Sequence, residues 1–138
     1  MRVMAVDPGE KRIGLAISDP TGTIANPLSI IKHVSRAVDA AIIAGLAQEN
    51  GIDLIVVGQA LDDEGAGLRA RQAQRLAEAI HLQSPLPVNL WDESSSTQTA
   101  RQVRLEIGVK RRKRNGHLDD LAAVVILQDY LDAHEDKE

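Results

Sequence analysis

Cysteine is absent from the 138-residue chain, which excludes disulfides, thiolate zinc sites and cysteine nucleophiles on composition alone. Any metal must be held by oxygen or imidazole. Phenylalanine is also absent, and Trp91 and Tyr130 are the only aromatic residues. A base-stacking platform of the kind used by single-strand binders has almost no material here, so any nucleic acid would be gripped mainly through its backbone. Long hydrophobic runs are missing as well. The longest unbroken apolar stretch, Leu121 to Leu127, is far shorter than the roughly 20 residues of a membrane span. With no signal-peptide pattern either, the expectation is a soluble, cytoplasmic protein with no membrane partner.

Apolar residues nevertheless make up 43% of the chain, enough for one core and one domain spanning residues 1–138, with the acidic end from Asp132 to Glu138 expected to fray. The net charge is −4, but the average conceals a basic island. Seven Lys and Arg against one acid fall between Arg101 and Leu118, leaving −10 for the remainder. Such asymmetry marks either a polyanion-binding face or a solvated loop.

Val3 to Val6 and Ile13 to Ser18 are short β-prone runs joined by a Pro-Gly turn, an antiparallel hairpin with a rather long loop, and a third strand is expected near Ile24 to Lys32. Between Arg36 and Asn50 the apolar positions Val38, Ala41, Ile42, Leu46 and Ala47 keep helical spacing, with Ser35 as N-cap and Gly51 as stop. "DLIVVG" (Asp53 to Gly58) reads as a strand covered on both faces. Leu68 to Leu82 is helical again, and "LPVNLWDE" from Pro87 is a strand running into two acids. Ser95 and Gln98 form a capping-box pattern for a helix over 96–106; Gly108 to Gly116 reads as a loop, and helix resumes from His117 to Leu131. Three strands followed by alternating strand and helix predict an α/β fold. Its sheet should be mixed, with an antiparallel edge, a parallel half and helices on both faces.

Three acids stand where an apolar element stops: Asp7 after the first strand, Glu93 after the last, and Asp119 in the first turn of the final helix. Each has an ordinary explanation when taken alone. Asp before Pro-Gly is turn chemistry, and acids at a helix N-terminus suit capping and the helix dipole. Together they suggest more, because ligands of open α/β sheets gather beyond the carboxyl ends of parallel strands. Asp119, Ala122, Ala123 and Ile126 share helical spacing, so the carboxylate lies on a face with two small residues that permit close approach to the sheet. Asp92 and Glu93 point to opposite sides, so at most one of them enters the crevice. Hard oxygen ligands suit Mg²⁺ or Mn²⁺, whose chemistry acts on phosphodiesters. His33, His81, His117 and His134 are dispersed without ligand spacing and read as surface or structural.

At this point the blocks resemble those of the YqgF, or RuvX-type, family of the RNase H-like superfamily, over essentially the whole chain. "AVDPGEKRIGLAISD" resembles its opening Asp-x-Gly-x-Lys-Arg-x-Gly block, and "LIVVG" followed by Gly65 its central strand and glycine loop. "DESSSTQTA" is similar to its Asp-Glu-Arg-x-x-Thr block, and "GVKRRKRNGHLDDLAAVVILQDYL" to its closing basic loop and Asp-x-x-Ala-Ala helix. The resemblance implies an RNase H-like five-stranded sheet and a catalytic, metal-binding triad of Asp7, Glu93 and Asp119 with two ions. It further implies nuclease activity on the 5′ end of precursor 16S rRNA or, alternatively, on Holliday junctions as a homodimer. Lys11 and Arg12, with Lys110, Arg111, Arg112, Lys113 and Arg114, are the expected nucleic-acid contacts. Two departures touch substrate positioning rather than the acids: Ser94 replaces the usual Arg, and Gln59, Ala60 and Leu61 follow Gly58 without the usual Pro. The loss of Arg keeps a third reading in view, a catalytically silent nucleic-acid-binding module.

Overall fold

In the computed structural model, which describes residues 1–59, 67–92 and 121–134, the opening apolar run forms β1 (Val3–Asp7). The chain turns back into β2 (Arg12–Ser18) and then β3 (Ala25–Lys32). Next come α1 (Arg36–Glu49), β4 (Leu54–Gln59), α2 (Leu68–Gln83), β5 (Val88–Asp92) and α3 (Leu121–His134). The five strands make one sheet in the order β3-β2-β1-β4-β5. Strands β1, β2 and β3 pair antiparallel, while β4 is parallel to β1 and β5 parallel to β4, the mixed sheet expected. Pro27 falls on the edge strand β3, where a missing N–H is tolerated.

The two-residue period of the strands divides the core into two layers. Met4, Val6, Ile13, Leu15, Ile55 and Val57 face α1 and α2, whereas Val3, Ala5, Ala16, Leu54 and Val56 face α3. Helices therefore cover both faces. Strand β4, buried from Leu54 through Gly58, needs apolar residues at every position because it is covered on both sides.

Helix α1 begins as its sequence predicts, with Ser35 Oγ accepting the Val38 N–H at 3.2 Å, but the inward stripe is displaced. Asp39, Ala40, Ile43 and Ala47 are buried, while Val38 and Ile42 remain exposed. Ala40, Ile43 and Ala47 join the core, and beside them the Asp39 carboxylate has partners in the Val34 N–H and the His33 ring. Helix α3 departs from expectation at its end. Residues 132–134, assigned above to a frayed tail, continue the helix, because Gln128 Nε2 donates to Asp132 Oδ1 at 3.0 Å and the His134 ring lies 4.0 Å from Tyr130. Ala123 packs on the sheet as the small-residue argument requires, but Ala122 is exposed.

The β2–β3 turn is built around one acid. Asp19 Oδ1 accepts the N–H groups of Thr23 and Ile24 at 2.8 and 2.9 Å, and Oδ2 accepts the Thr21 hydroxyl. Gly22 occupies the left-handed region at φ 73°, where a side chain would be strained and where a Cβ would meet the Met1 carbonyl at 2.8 Å.

Candidate functional site

Because β1, β4 and β5 are parallel, their carboxyl ends open onto one edge of the sheet. Asp7 is the last residue of β1, half-buried, opposite Gly14 of β2. Its neighbour Val6 is level with Val57, which is level with Leu90, so Trp91 lies about level with Asp7 two strands away. Alternation puts Asp7 on the α3 face with Val3, Ala5 and Trp91, and Asp92 on the opposite face with Val88. Asp92 therefore does not share a face with Asp7.

The turn after Asp7 needs its glycine. A Cβ on Gly9 would lie 2.3 Å from the Arg12 carbonyl oxygen, so the chain can fold back this tightly only without a side chain there. That close approach fixes the direction in which β1 ends. Lys11 and Arg12 are exposed on the far side of the turn, and Arg12 pairs across the sheet with Lys32. Sequence reasoning missed what lies beside them. The Lys11 carbonyl accepts the His33 N–H at 2.9 Å, and His33 in turn pairs with the buried Asp39, so one supposedly isolated histidine is part of a fixed constellation. The two are six residues apart across a strand-to-helix turn, a spacing with no periodic signature.

On the α3 face, Trp91 and Tyr130 pack edge-to-face at 5.3 Å with His134 stacked on Tyr130, which explains where both aromatic residues of the chain are used. Burial pushes the Tyr130 phenol above its ordinary pKa, opposed by its hydrogen bond with Asn89. Trp91 Nε1 is buried without a hydrogen-bond partner among the described residues. Elsewhere, the Ile24 N–H, the Thr21 hydroxyl and the Thr23 N–H hold the Asp19 carboxyl well below the usual carboxylate range.

Of the proposed triad, the described residues contain Asp7; Glu93, Asp119 and the basic residues Lys110, Arg111, Arg112, Lys113 and Arg114 lie outside them, as do the predicted helix over 96–106 and Ser94. Among the described residues no group of three acids or histidines is placed to hold a metal. Asp7 itself suits a hard cation, being a carboxylate at the open edge of the sheet with no nitrogen or sulfur ligand group beside it in the strand.

A family model described as "RuvX: Holliday junction resolvase" matches residues 1–133. The chain belongs to the RuvX family. Its relatives include a protein of Syntrophomonas wolfei subsp. wolfei named "Putative pre-16S rRNA nuclease", 41% identical over 96% of this chain and 94% of that protein. A namesake from Thermoanaerobacter pseudethanolicus is 39% identical over 99% of this chain and 100% of its own length. In three dimensions this RuvX chain is similar to T. thermophilus RuvC in complex with Holliday junction substrate, with TM-score 0.64 and 18% identity over 99% of this chain and 96% of that one. A fowlpox virus Holliday junction resolvase superposes with TM-score 0.59 and 16% identity, covering 96% and 99% of the two chains. The RNase H-like fold expected from the motif blocks is the fold observed. Among the described residues, no helix of this RuvX protein is long and apolar enough to cross a membrane.

Proposed function

We propose that this chain is a divalent-metal-dependent nuclease that hydrolyses phosphodiester bonds of structured RNA, with the 5′ end of precursor 16S rRNA as substrate in ribosome biogenesis. The observation that carries the reading is Asp7, a half-buried carboxylate aimed by a glycine-dependent turn at the open edge of three parallel strands. The names borne by relatives that match over nearly their whole length supply the substrate.

Asp7, Glu93 and Asp119 are the three acids of the site in this reading, and two periodicities support the choice. Trp91 occupies the α3 face of β5, and Glu93 has the same strand parity. Asp119 precedes Ala123 by four residues and Ile126 by seven, the helical spacing of two side chains that α3 buries against the Val3 and Ala5 side of the sheet. This all-oxygen set fits two Mg²⁺ or Mn²⁺ ions, which when bound supply an activated water and charge stabilisation for an in-line displacement. Lys11, Arg12 and the run from Lys110 to Arg114 hold flanking phosphates, so affinity is insensitive to sequence and selectivity follows RNA shape.

The family's description favours a second reading, cleavage of four-way DNA junctions, for which substrate symmetry asks for a dimer. The third, a silent binding module, draws support from Ser94. Incubating the full chain with precursor RNA and with a four-way junction, with and without Mg²⁺ or Mn²⁺, separates the three. Metal-dependent shortening of the RNA supports the first, paired cuts in the junction by a dimer support the second, and metal-indifferent binding without products supports the third.

A further inference from the structure

The connection from β3 to α1 contains a charged pair that the three-acid site does not use. Asp39 is only 1% exposed, yet its carboxylate is engaged at both oxygens: Oδ1 accepts the Val34 N–H at 3.0 Å, and Oδ2 meets His33 Nδ1. An ionised carboxylate can only accept, so Nδ1 carries the hydrogen and Nε2 is the ring nitrogen left for a ligand. The ring is not buried with its partner, since 43% of the His33 side chain is exposed. A buried acid therefore fixes the orientation of an accessible imidazole.

Two grooves meet at that imidazole. One, of about 380 Å³, lies between the Pro8–Gly9 turn and the start of α1, with Ser35, Arg36 and Gln72 in its walls. The other, of about 600 Å³, runs past Lys11, Arg12 and Lys32. Among the described residues, the charged groups lining the two grooves around His33 are Lys11 and Arg12 from the β1–β2 turn, Lys32 from β3, Arg36 and Asp39 from α1, and Glu10, which borders both grooves; α2 contributes Gln72 and Leu76 to the lining. Among the described residues, four cations outnumber one exposed acid along the joined groove. Its end at Pro8 adjoins Asp7.

We propose that His33, oriented by Asp39 and flanked by Lys32 and Arg36, contacts a backbone phosphate of the substrate strand where it leaves the Asp7 edge and passes over the start of α1. Nε2–H donates to a phosphate oxygen, while Nδ1–H donates to the Asp39 carboxylate beneath the ring. His33 is then a binding residue, and Asp39 a positioning residue that acts through it. The inference rests on the nucleic-acid reading above but adds a contact that the motif blocks do not contain.

The test is equilibrium binding of a structured precursor RNA to the full chain in metal-free buffer, titrated with salt at about pH 6 and about pH 8. Each phosphate contact contributes about 0.7–0.9 to the slope of log affinity against log salt. The expected result is that His33→Gln reduces that slope at pH 6 by about one contact and weakens binding severalfold, while parent and variant converge at pH 8. Asp39→Asn, checked for folding by circular dichroism, should lose the same pH 6 increment although the imidazole is still present. An unchanged slope in His33→Gln at both pH values overturns the inference, as does loss of affinity without loss of slope, which would mean a structural role only. Cleavage by the parent with Mg²⁺ is scored separately, so absence of products counts against the nuclease reading and leaves the binding result to judge His33.

Discussion

Asp7 depends on a residue with no side chain. Gly9→Ala would push a methyl group into the Arg12 carbonyl, and overpacking of this kind costs about 1–3 kcal/mol. Chemical denaturation should show that loss, and the cleavage rate should fall with it because the turn sets where β1 ends. Ser18 is a second such point. Its buried hydroxyl accepts the Val3 N–H at 2.8 Å and donates to the Asp19 carbonyl at 3.0 Å, so Ser18→Ala leaves a buried donor unpaired and should cost about 1–3 kcal/mol in the same assay. Asp19 makes a pH prediction. Its carboxyl is held below its unfolded value by the Ile24, Thr21 and Thr23 donors, so its contribution to stability is present above the ordinary carboxylate pKa and is lost as pH falls from there through the lower folded-state value. Asp19→Asn should flatten that acid limb of stability against pH; an unaltered limb would remove Asp19 as its source. The role proposed for Asp7 was visible only as one of three acids at element ends, whereas the His33–Asp39 pair was invisible, since nothing in a six-residue separation announces that a turn will fold a ring onto a buried carboxylate.

Elements were more legible than their packing. The β-prone runs of β1 and β2, the continuous apolar run of β4 and the Ser35 cap of α1 each specify an element by local chemistry, and all are found where their patterns put them. Which side of α1 turns inward was not legible, because the helix carries two apolar stripes and the buried one, Ala40, Ile43 and Ala47, includes an acid, Asp39, whose partners come from the preceding turn. The extent of α3 was hidden for a similar reason: its last turn is held by Asp132 and His134, residues that read as a solvated acidic tail until Gln128 and Tyr130 are seen beside them. Gln128 also ties α3 to the sheet, with Oε1 accepting the Ala25 N–H at 3.0 Å and Nε2 donating to the Thr23 carbonyl at 3.1 Å. Gln128→Ala removes both bonds and should destabilise the protein by about 1–2 kcal/mol. If Asp119, two residues before α3 in the sequence, belongs to the site as proposed, cleavage by that variant should fall further than its stability alone explains.

At the scale of the molecule, an acidic chain handles a polyanion by segregating its charge. Lys11, Arg12, Lys32 and Arg36 surround the grooves next to Asp7, and the sequence holds a second basic run from Lys110 to Arg114, while acids dominate the rest. RNA affinity should therefore fall steeply as salt rises, in spite of the net charge of −4. In the proposed site, the carboxyl edge formed by β1, β4 and β5 is where the three acids would meet. The most direct measurement of that claim is single-turnover cleavage of a precursor 16S rRNA 5′ fragment by parent and Asp7→Asn in Mg²⁺ or Mn²⁺, with equal folding verified. Loss of about 3 kcal/mol of transition-state charge stabilisation is a factor of about 100 in rate, so the account predicts at least that reduction in the variant and no cleavage by either protein in chelator. Equal cleavage by parent and Asp7→Asn, or cleavage undiminished by chelator, would contradict it.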